Sequence, residues 1–435
     1  MMAQQTWCRK QGPGLSAIVV LGLFFACGCD PAAEGAPDAS AREDGGITDG
    51  GGSGSGGSSG ADAGMQHDAD PGEDEAGLTD AGHEDAGADG GTAHYPGVPV
   101  VLVPVSHIAS ATVIGVDDEY VYWTSSWVGS DPADPLPPAS GSYLLRIPKE
   151  GGTPEVIYEA PAGENPIHQG FFALSDTSVY IKRGIDIYHD SLIKVAKDGS
   201  SAVEIAQPEF NSGSGVAIDS QRVYFGRNVL LPNGEINSTG SIASVPLDGG
   251  PITTVVDATM SAQKPIEPGS GNEVPWQGIE GMMSDGTNLY YASGSNGHMM
   301  QVPVGGGVPR ILFQADATAV NGTVPYVYVT SWPCVTGGFV YWTTYGSVFK
   351  TSIDEGGTPT PVVVSPISAQ GSGPQTVTDG DYLYYVDDTF LKKVSVDGGT
   401  PVIIAEPGGF SVFAIDDTSV YMIGSNGQSI VKYPK

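Results

Sequence analysis

A seven-residue pattern recurs seven times along the chain: DDEYVYW at 117–123, SDTSVYI at 175–181, DSQRVYF at 219–225, DGTNLYY at 285–291, TGGFVYW at 336–342, DGDYLYY at 379–385 and DDTSVYM at 416–422. It reads as an acid, three variable residues, Val or Leu, Tyr, and a large apolar residue. The tyrosine is present in all seven, as Tyr122, Tyr180, Tyr224, Tyr290, Tyr341, Tyr384 and Tyr421. Self-similarity at a period of about 40–50 residues constrains a chain more than any composition, because it requires one structural unit to be stacked on copies of itself.

The company of each tyrosine defines that unit. A short apolar run precedes it, as in GSGVAID ending at Asp219, and an alternating run follows, such as LLRIP at 144–148 or LKKVSV at 391–396. Next comes a tight turn of the EGG, DGS or DGG kind, at Glu150, Asp198, Asp248, Glu355 and Asp397, with GGG at Gly305. Asp-Gly and Gly-Gly supply the positive φ angles that tight hairpins need. A β-branched run closes the unit, as in EVIYEA, ITTVVD or PVIIAE. No stretch carries a 3.6-residue apolar period long enough for a helix. The pattern therefore predicts an all-β fold: a β-propeller of seven four-stranded blades, with six as the alternative count. Blades packed face to face bury both faces of each sheet. The last repeat stops after its third strand, SIVKYPK, and the run VPVVLVPV (98–105) belongs to no repeat. This N-terminal run is expected to complete the last blade and close the ring, removing two exposed edges.

The runs VYWT at 121–124 and 340–343 resemble the YWTD repeats of low-density-lipoprotein-receptor propellers and bacterial lipoprotein propellers of that superfamily. The resemblance spans about 340 residues. It departs at the final Asp, which is Ser125 and Thr344 here, and in blade number, six being usual for the family. It implies a propeller that binds proteins or glycans on one face, and implies no reaction.

Ahead of the repeats lie two segments of different character. Arg9 and Lys10 precede LSAIVVLGLFFA (15–26). At about 18 Å as a helix this run is too short for a hydrocarbon core of about 30 Å, and fits a secretory h-region. It ends in Ala26-Cys27-Gly28-Cys29, similar to a bacterial lipoprotein signal (1–26). Cys27 is the expected lipidation site, with Cys29 the alternative. Residues 30–94 carry 16 acidic residues against one basic one, Arg42, and only Ile47, Met65 and Leu78 as large apolar residues. So few cannot offset chain entropy, so residues 27–94 are expected to form a disordered acidic Gly/Asp/Ala-rich tether with a reach of roughly 45 Å. Its DADPGEDEAG run lacks EF-hand spacing, and its histidines are isolated, so no metal site and no cofactor are expected. The domain proper is 95–435. It holds 34 acidic and 15 basic residues, a balance that excludes nucleic acid as a partner. Of four cysteines, Cys8, Cys27, Cys29 and Cys334, only the last falls in the domain, where it reads as a small buried hydrophobe. The resulting address is export to a bacterial cell envelope, with a lipid anchor in the outer membrane or at the cell surface.

Functional residues in a repeat fold are those that break the repeat. The seven tyrosines are fold residues, and the leading aspartates are expected to cap turns. The loops leading into the innermost strands ring one mouth of the axial channel. They hold the candidate ligand face: His107, His168, Gln169, Asn211, Trp276, Gln277, Glu280, Trp332, Gln375 and Phe410. Insertions at 127–142 and 227–240 share that face. No nucleophile with an orienting partner is readable, so no residue is assigned a catalytic role, although Glu280 could act as a base and His168 as a base or ligand. The expectation is a non-catalytic binding or scaffold module for a protein, peptide or glycan. The alternative is a secreted propeller enzyme, lactonase- or lyase-like, with a metal in the channel.

Overall fold

A computed structural model describes residues 98–103, 109–127, 141–161, 167–184, 190–207, 215–230, 236–257, 279–293, 298–313, 332–344, 347–363, 375–387, 390–405, 412–424 and 429–435. The candidate lipidation residues Cys27 and Cys29, and the segments expected to be a signal and a tether, lie outside them. Among the described residues every regular element is a β-strand, and no helix is long and apolar enough to cross a membrane.

The strands fall into seven antiparallel sheets of four, so the fold is a seven-bladed β-propeller. Strand β1 (Val100–Val103) comes first. Blade one holds β2 (Ala109–Val116), β3 (Tyr120–Trp127), β4 (Tyr143–Pro148) and β5 (Glu155–Glu159). Blade two holds β6 (Ile167–Leu174), β7 (Ser178–Gly184), β8 (Asp190–Ala196) and β9 (Ala202–Ala206). Blade three holds β10 (Val216–Ile218), β11 (Arg222–Leu230), β12 (Ile236–Pro246) and β13 (Thr253–Val256). Blade four holds β14 (Ile279–Ser284), β15 (Asn288–Ser293), β16 (His298–Pro303) and β17 (Arg310–Phe313). Blade five holds β18 (Cys334–Thr336), β19 (Phe339–Thr344), β20 (Ser347–Ser352) and β21 (Thr360–Val363). Blade six holds β22 (Thr376–Thr378), β23 (Tyr382–Val386), β24 (Leu391–Ser395) and β25 (Val402–Ala405). Blade seven holds β26 (Phe413–Ile415), β27 (Ser419–Ile423) and β28 (Ile430–Pro434). Its fourth strand is β1, paired antiparallel to β28 with Val100 opposite Lys432. The ring is closed by the N-terminal strand, as expected.

The first strand of each blade lies nearest the axis, where β2 adjoins both β6 and β26, and β10 adjoins β6 and β14. The fourth strand is outermost and partly exposed. The ring therefore has two unlike ends. At the turn end sit the hairpins joining strands one to two and three to four. At the mouth end the axial strands begin and second strands hand over to third ones.

The repeated motif now has a physical account. In blades one, three, four, six and seven the leading carboxylate uses both oxygens. Asp416 Oδ1 accepts the backbone N–H groups of Thr418 and Ser419 (both 2.8 Å), while Oδ2 accepts the Tyr421 hydroxyl at 2.8 Å. The same pairing recurs as Asp117–Tyr122 (2.8 Å), Asp219–Tyr224 (2.6 Å), Asp285–Tyr290 (3.0 Å) and Asp379–Tyr384 (2.8 Å). The spacing of five residues is what a two-residue hairpin needs to bring its capping acid over the second strand. In blade two Ser175 stands in for the acid, and the Tyr180 hydroxyl instead reaches the Leu247 carbonyl of blade three. All seven tyrosines are buried. Because strand neighbours point to opposite faces, the tyrosine faces the following blade and the residue after it the preceding one. Trp342, for instance, stacks on Phe313 of blade four at 5.3 Å.

Scarce cations stitch these blades together. Lys197 of blade two reaches back to Asp117 of blade one (2.7 Å), Lys149 of blade one to Asp416 of blade seven (2.7 Å), and Lys435 of blade seven to Asp379 of blade six (3.0 Å). In the other direction, Arg146 donates to the Lys197 carbonyl (2.7 Å), Lys350 to that of Val396 (3.1 Å) and Lys432 to that of Lys149 (3.2 Å). These groups hold carbonyls of the following blade's turn, which the hairpin itself cannot satisfy. Turn glycines press against the blade before them. A Cβ on Gly356, whose φ is +67°, would lie 2.9 Å from the Leu312 carbonyl oxygen.

One expectation is corrected. The insertion at 227–240 reads as a loop, but β11 and β12 run on through most of it, with Val229 opposite Asn237 and Leu230 opposite Ile236. Val229, Leu230 and Ile236 are strand formers, so the hairpin lengthens instead of looping out. Cys334 is a buried free thiol within the core.

Candidate functional site at the mouth of the ring

The turn end is regular; the departures from the repeat gather at the mouth end. Three axial strands carry extra residues near their starts. In blade one Thr112 is inserted between the pairs Ala111–Ser125 and Val113–Thr124. In blade four Glu280 is inserted between Ile279–Ser293 and Gly281–Ala292. In blade two Ile167 pairs with Arg183 and Phe172 with Ile181, so the four residues 168–171 stand opposite Lys182 alone. Bulges of this kind re-aim a strand and release backbone groups from the ladder. Candidates His168, Gln169 and Glu280 thus sit where the axial ladder is broken.

Trp332 and Gln375 are brought together. They form a parallel bridge between blades five and six just ahead of β18 and β22. Trp332 also lies against blade four: a Cβ on Gly281 would fall 2.8 Å from the Trp332 Cα and 3.0 Å from its ring Cγ. Only glycine allows that approach. Bulged Glu280, Gly281, Trp332 and Gln375 therefore form a continuous arc across three successive blades. Gln375 is 1% exposed, and neither its Oε1 nor its Nε2 has a hydrogen-bond partner among the described residues. A buried amide in that state costs about 1–3 kcal/mol, and both of its polar atoms are in it. His107, Asn211, Trp276, Gln277 and Phe410 lie outside the described residues.

Lys182 and Asp190 are functional candidates that the reading of loops missed. Lys182 stands at the position after the motif's last residue, where the other six blades have Thr124, Gly226, Ala292, Thr343, Val386 and Ile423. That substitution was the available signal. Its Nζ lies 3.1 Å from Asp190 Oδ2, with both side chains almost fully buried. Burial holds the Lys182 amine below its usual range, and Asp190 only partly offsets this. On the opposite face of the same sheet, toward blade one, Arg183 donates to the Tyr158 hydroxyl (3.2 Å) and lies 3.9 Å from Glu204, whose carboxylate accepts the Ser191 hydroxyl at 2.5 Å. Among the described residues no three His, Cys, Asp or Glu side chains gather to hold a metal ion.

The chain is thus a seven-bladed propeller with a structural turn end and an irregular, polar mouth. No family profile matches the chain, and no curated protein does either. Solved propellers share its fold. The WD40 domain of Pan2 from Neurospora crassa is 10% identical over 77% of this chain and 95% of its own, with a TM-score of 0.48. BamB from Moraxella catarrhalis is 14% identical over 78% and 98%, at 0.44. A chain of the nidogen/laminin complex is 15% identical over 58% and 86%, at 0.39. At these identities the likeness extends to the fold alone.

Proposed function

We propose that the protein is an exported, lipid-anchored binding module. Residues 1–26 serve as a lipoprotein-type signal, Cys27 (with Cys29 as the alternative) carries the lipid, residues 27–94 form the tether, and the 95–435 propeller presents a non-catalytic site for a protein, peptide or glycan at its mouth. The observation that carries this reading is the segregation of irregularity. Bulged axial strands, the unpartnered Gln375 amide and the Lys182–Asp190 pair all lie at the mouth end, whereas the turn end repeats one clasp in five of the seven blades. The short apolar run ending in Ala26-Cys27 supports the anchor, and the VYWT runs support a place near the YWTD propellers. The described chain enters the ring at the turn end, since Val100 pairs with Lys432 beside the Lys149 turn.

Two measurements test it. Labelling with a palmitate analogue should mark the wild-type protein and fail in the Cys27→Ala, Cys29→Ala double variant; an unlabelled wild type would sink the anchor. Capture of envelope components by the full chain should be lost in Gln375→Met, a near-isosteric change that removes the amide. Capture unaltered by that change would overturn the mouth as the binding face.

A further inference from the structure

We propose that the mouth end of blade two is a recognition subsite for a neutral, hydroxyl-bearing ligand, a glycan in chemical class, with Lys182 and Asp190 as its paired donor and acceptor. This rests on the binding-module reading and names the chemistry of part of that site.

Three independent features meet there. The first is residue type. Lys182 replaces Thr, Gly, Ala, Val or Ile at the equivalent position of every other blade, and Asp190 opens β8 just across from it. The second is geometry. Four axial residues, 168–171, oppose Lys182 alone, so the ladder between β6 and β7 is interrupted beside the pair. The third is use of charge. Most other described cations with an ion partner, Lys149, Lys194, Lys197, Lys432 and Lys435 among them, clasp one blade to another at the turn end. Lys182 pairs within its own blade toward the mouth, as Lys392 does with Asp387, and of the two pairs it is the more deeply buried. A buried ion pair is a poor way to stabilise a fold, because desolvating two ions roughly cancels their attraction, and apolar replacements are often neutral or stabilising. Six blades show the position filled without charge.

Chemistry narrows the ligand. The ammonium donates and the carboxylate accepts, and the two lie 3.1 Å apart. Neighbouring hydroxyls on a sugar ring offer the complementary acceptor and donor. The pair is neutral as a unit, and a domain with 34 acids against 15 bases repels anionic ligands.

The test is titration calorimetry of the full-length protein in detergent with maltoheptaose and N-acetylglucosamine tetramer as neutral probes, and oligogalacturonate as an acidic one. Wild type should bind a neutral probe and not the acidic one. Lys182→Met with Asp190→Leu should weaken that binding at least tenfold while melting at or above the wild-type temperature. Absence of neutral binding by wild type, or preference for the acidic probe, overturns the proposal. So does a double variant that melts lower yet binds as wild type, since the pair would then be structural. Should this variant fold poorly, Lys182→Gln with Asp190→Asn keeps a neutral donor and acceptor; binding within about threefold of wild type supports the proposal, and complete loss overturns it. If Gln375→Met abolishes binding while the Lys182 variants do not, this subsite fails and the mouth-binding reading stands.

Discussion

Lys149 Nζ lies 2.7 Å from Asp416 Oδ2, so the first blade is ion-paired to the capping carboxylate of the last. That carboxylate also holds two backbone amides and the Tyr421 hydroxyl. Replacing Asp416 with alanine should cost about 3–5 kcal/mol, because it leaves a largely buried ammonium and a buried phenol without their acceptor. Urea unfolding would measure it, and a loss below about 1 kcal/mol would show the clasp to be incidental.

Acid sensitivity follows from the same groups. Burial pushes the carboxyls of Asp117, Asp379 and Asp416 up, but Lys197, Lys435 and Lys149 together with backbone and hydroxyl donors more than offset it, leaving all three below the ordinary range. A depressed folded pKa contributes stability that is complete above the unfolded value of about 3.9 and is lost as pH falls through the folded one. Thermal melts should therefore hold steady from neutral pH to about 5 and fall steeply below about 4. The Asp416→Ala variant should show a shallower fall.

Gly356→Ala should destabilise by roughly 1–2 kcal/mol through the left-handed backbone alone, and further because the added Cβ meets the Leu312 carbonyl oxygen at 2.9 Å. Gly357, with φ of +102° but nothing within 4 Å of a Cβ, should show only the backbone part. Comparing the two melts separates strain from clash.

Gln375→Met should raise stability by about 1 kcal/mol, since it removes a buried amide with no partner. A gain in melting temperature accompanied by loss of capture would mark a residue kept for binding at the expense of the fold. A drop in melting temperature would show that the amide is satisfied in solution.

Much of this architecture is legible in the chain because its determinants are local. An acid five residues before a tyrosine, or a Gly-Gly after an alternating run, is visible without knowing what it packs against. The inter-blade clasps are not local: Lys149 and Asp416 come together only once the ring closes. Lys182 escaped notice for a related reason. It sits within a strand, and its partner Asp190 and the four-residue bulge opposite it emerge only from the pairing register. Trp332 and Gln375 were found because they stand next to the axial strands, but that they bridge one another was not legible. The ribbon at Val229–Leu230 and Ile236 is not legible as a departure from the repeat length alone, because an insertion that extends a hairpin adds as many residues as one that loops out.

The pairing of β1 with β28 sets the order in which the molecule can be completed. Val100 and Lys432 lie at opposite ends of the described chain, so the contact that seals the ring has nearly the largest sequence separation the domain allows, and such contacts form late and slowly. As the ribosome delivers the chain, the early blades can stack, yet β1 must wait, unpaired, for β28. Loss of even the final five residues would strand it permanently. The propeller thus reaches its finished state only once β28 is in place, and synthesis halted ahead of β28 would leave an open arc instead of a ring.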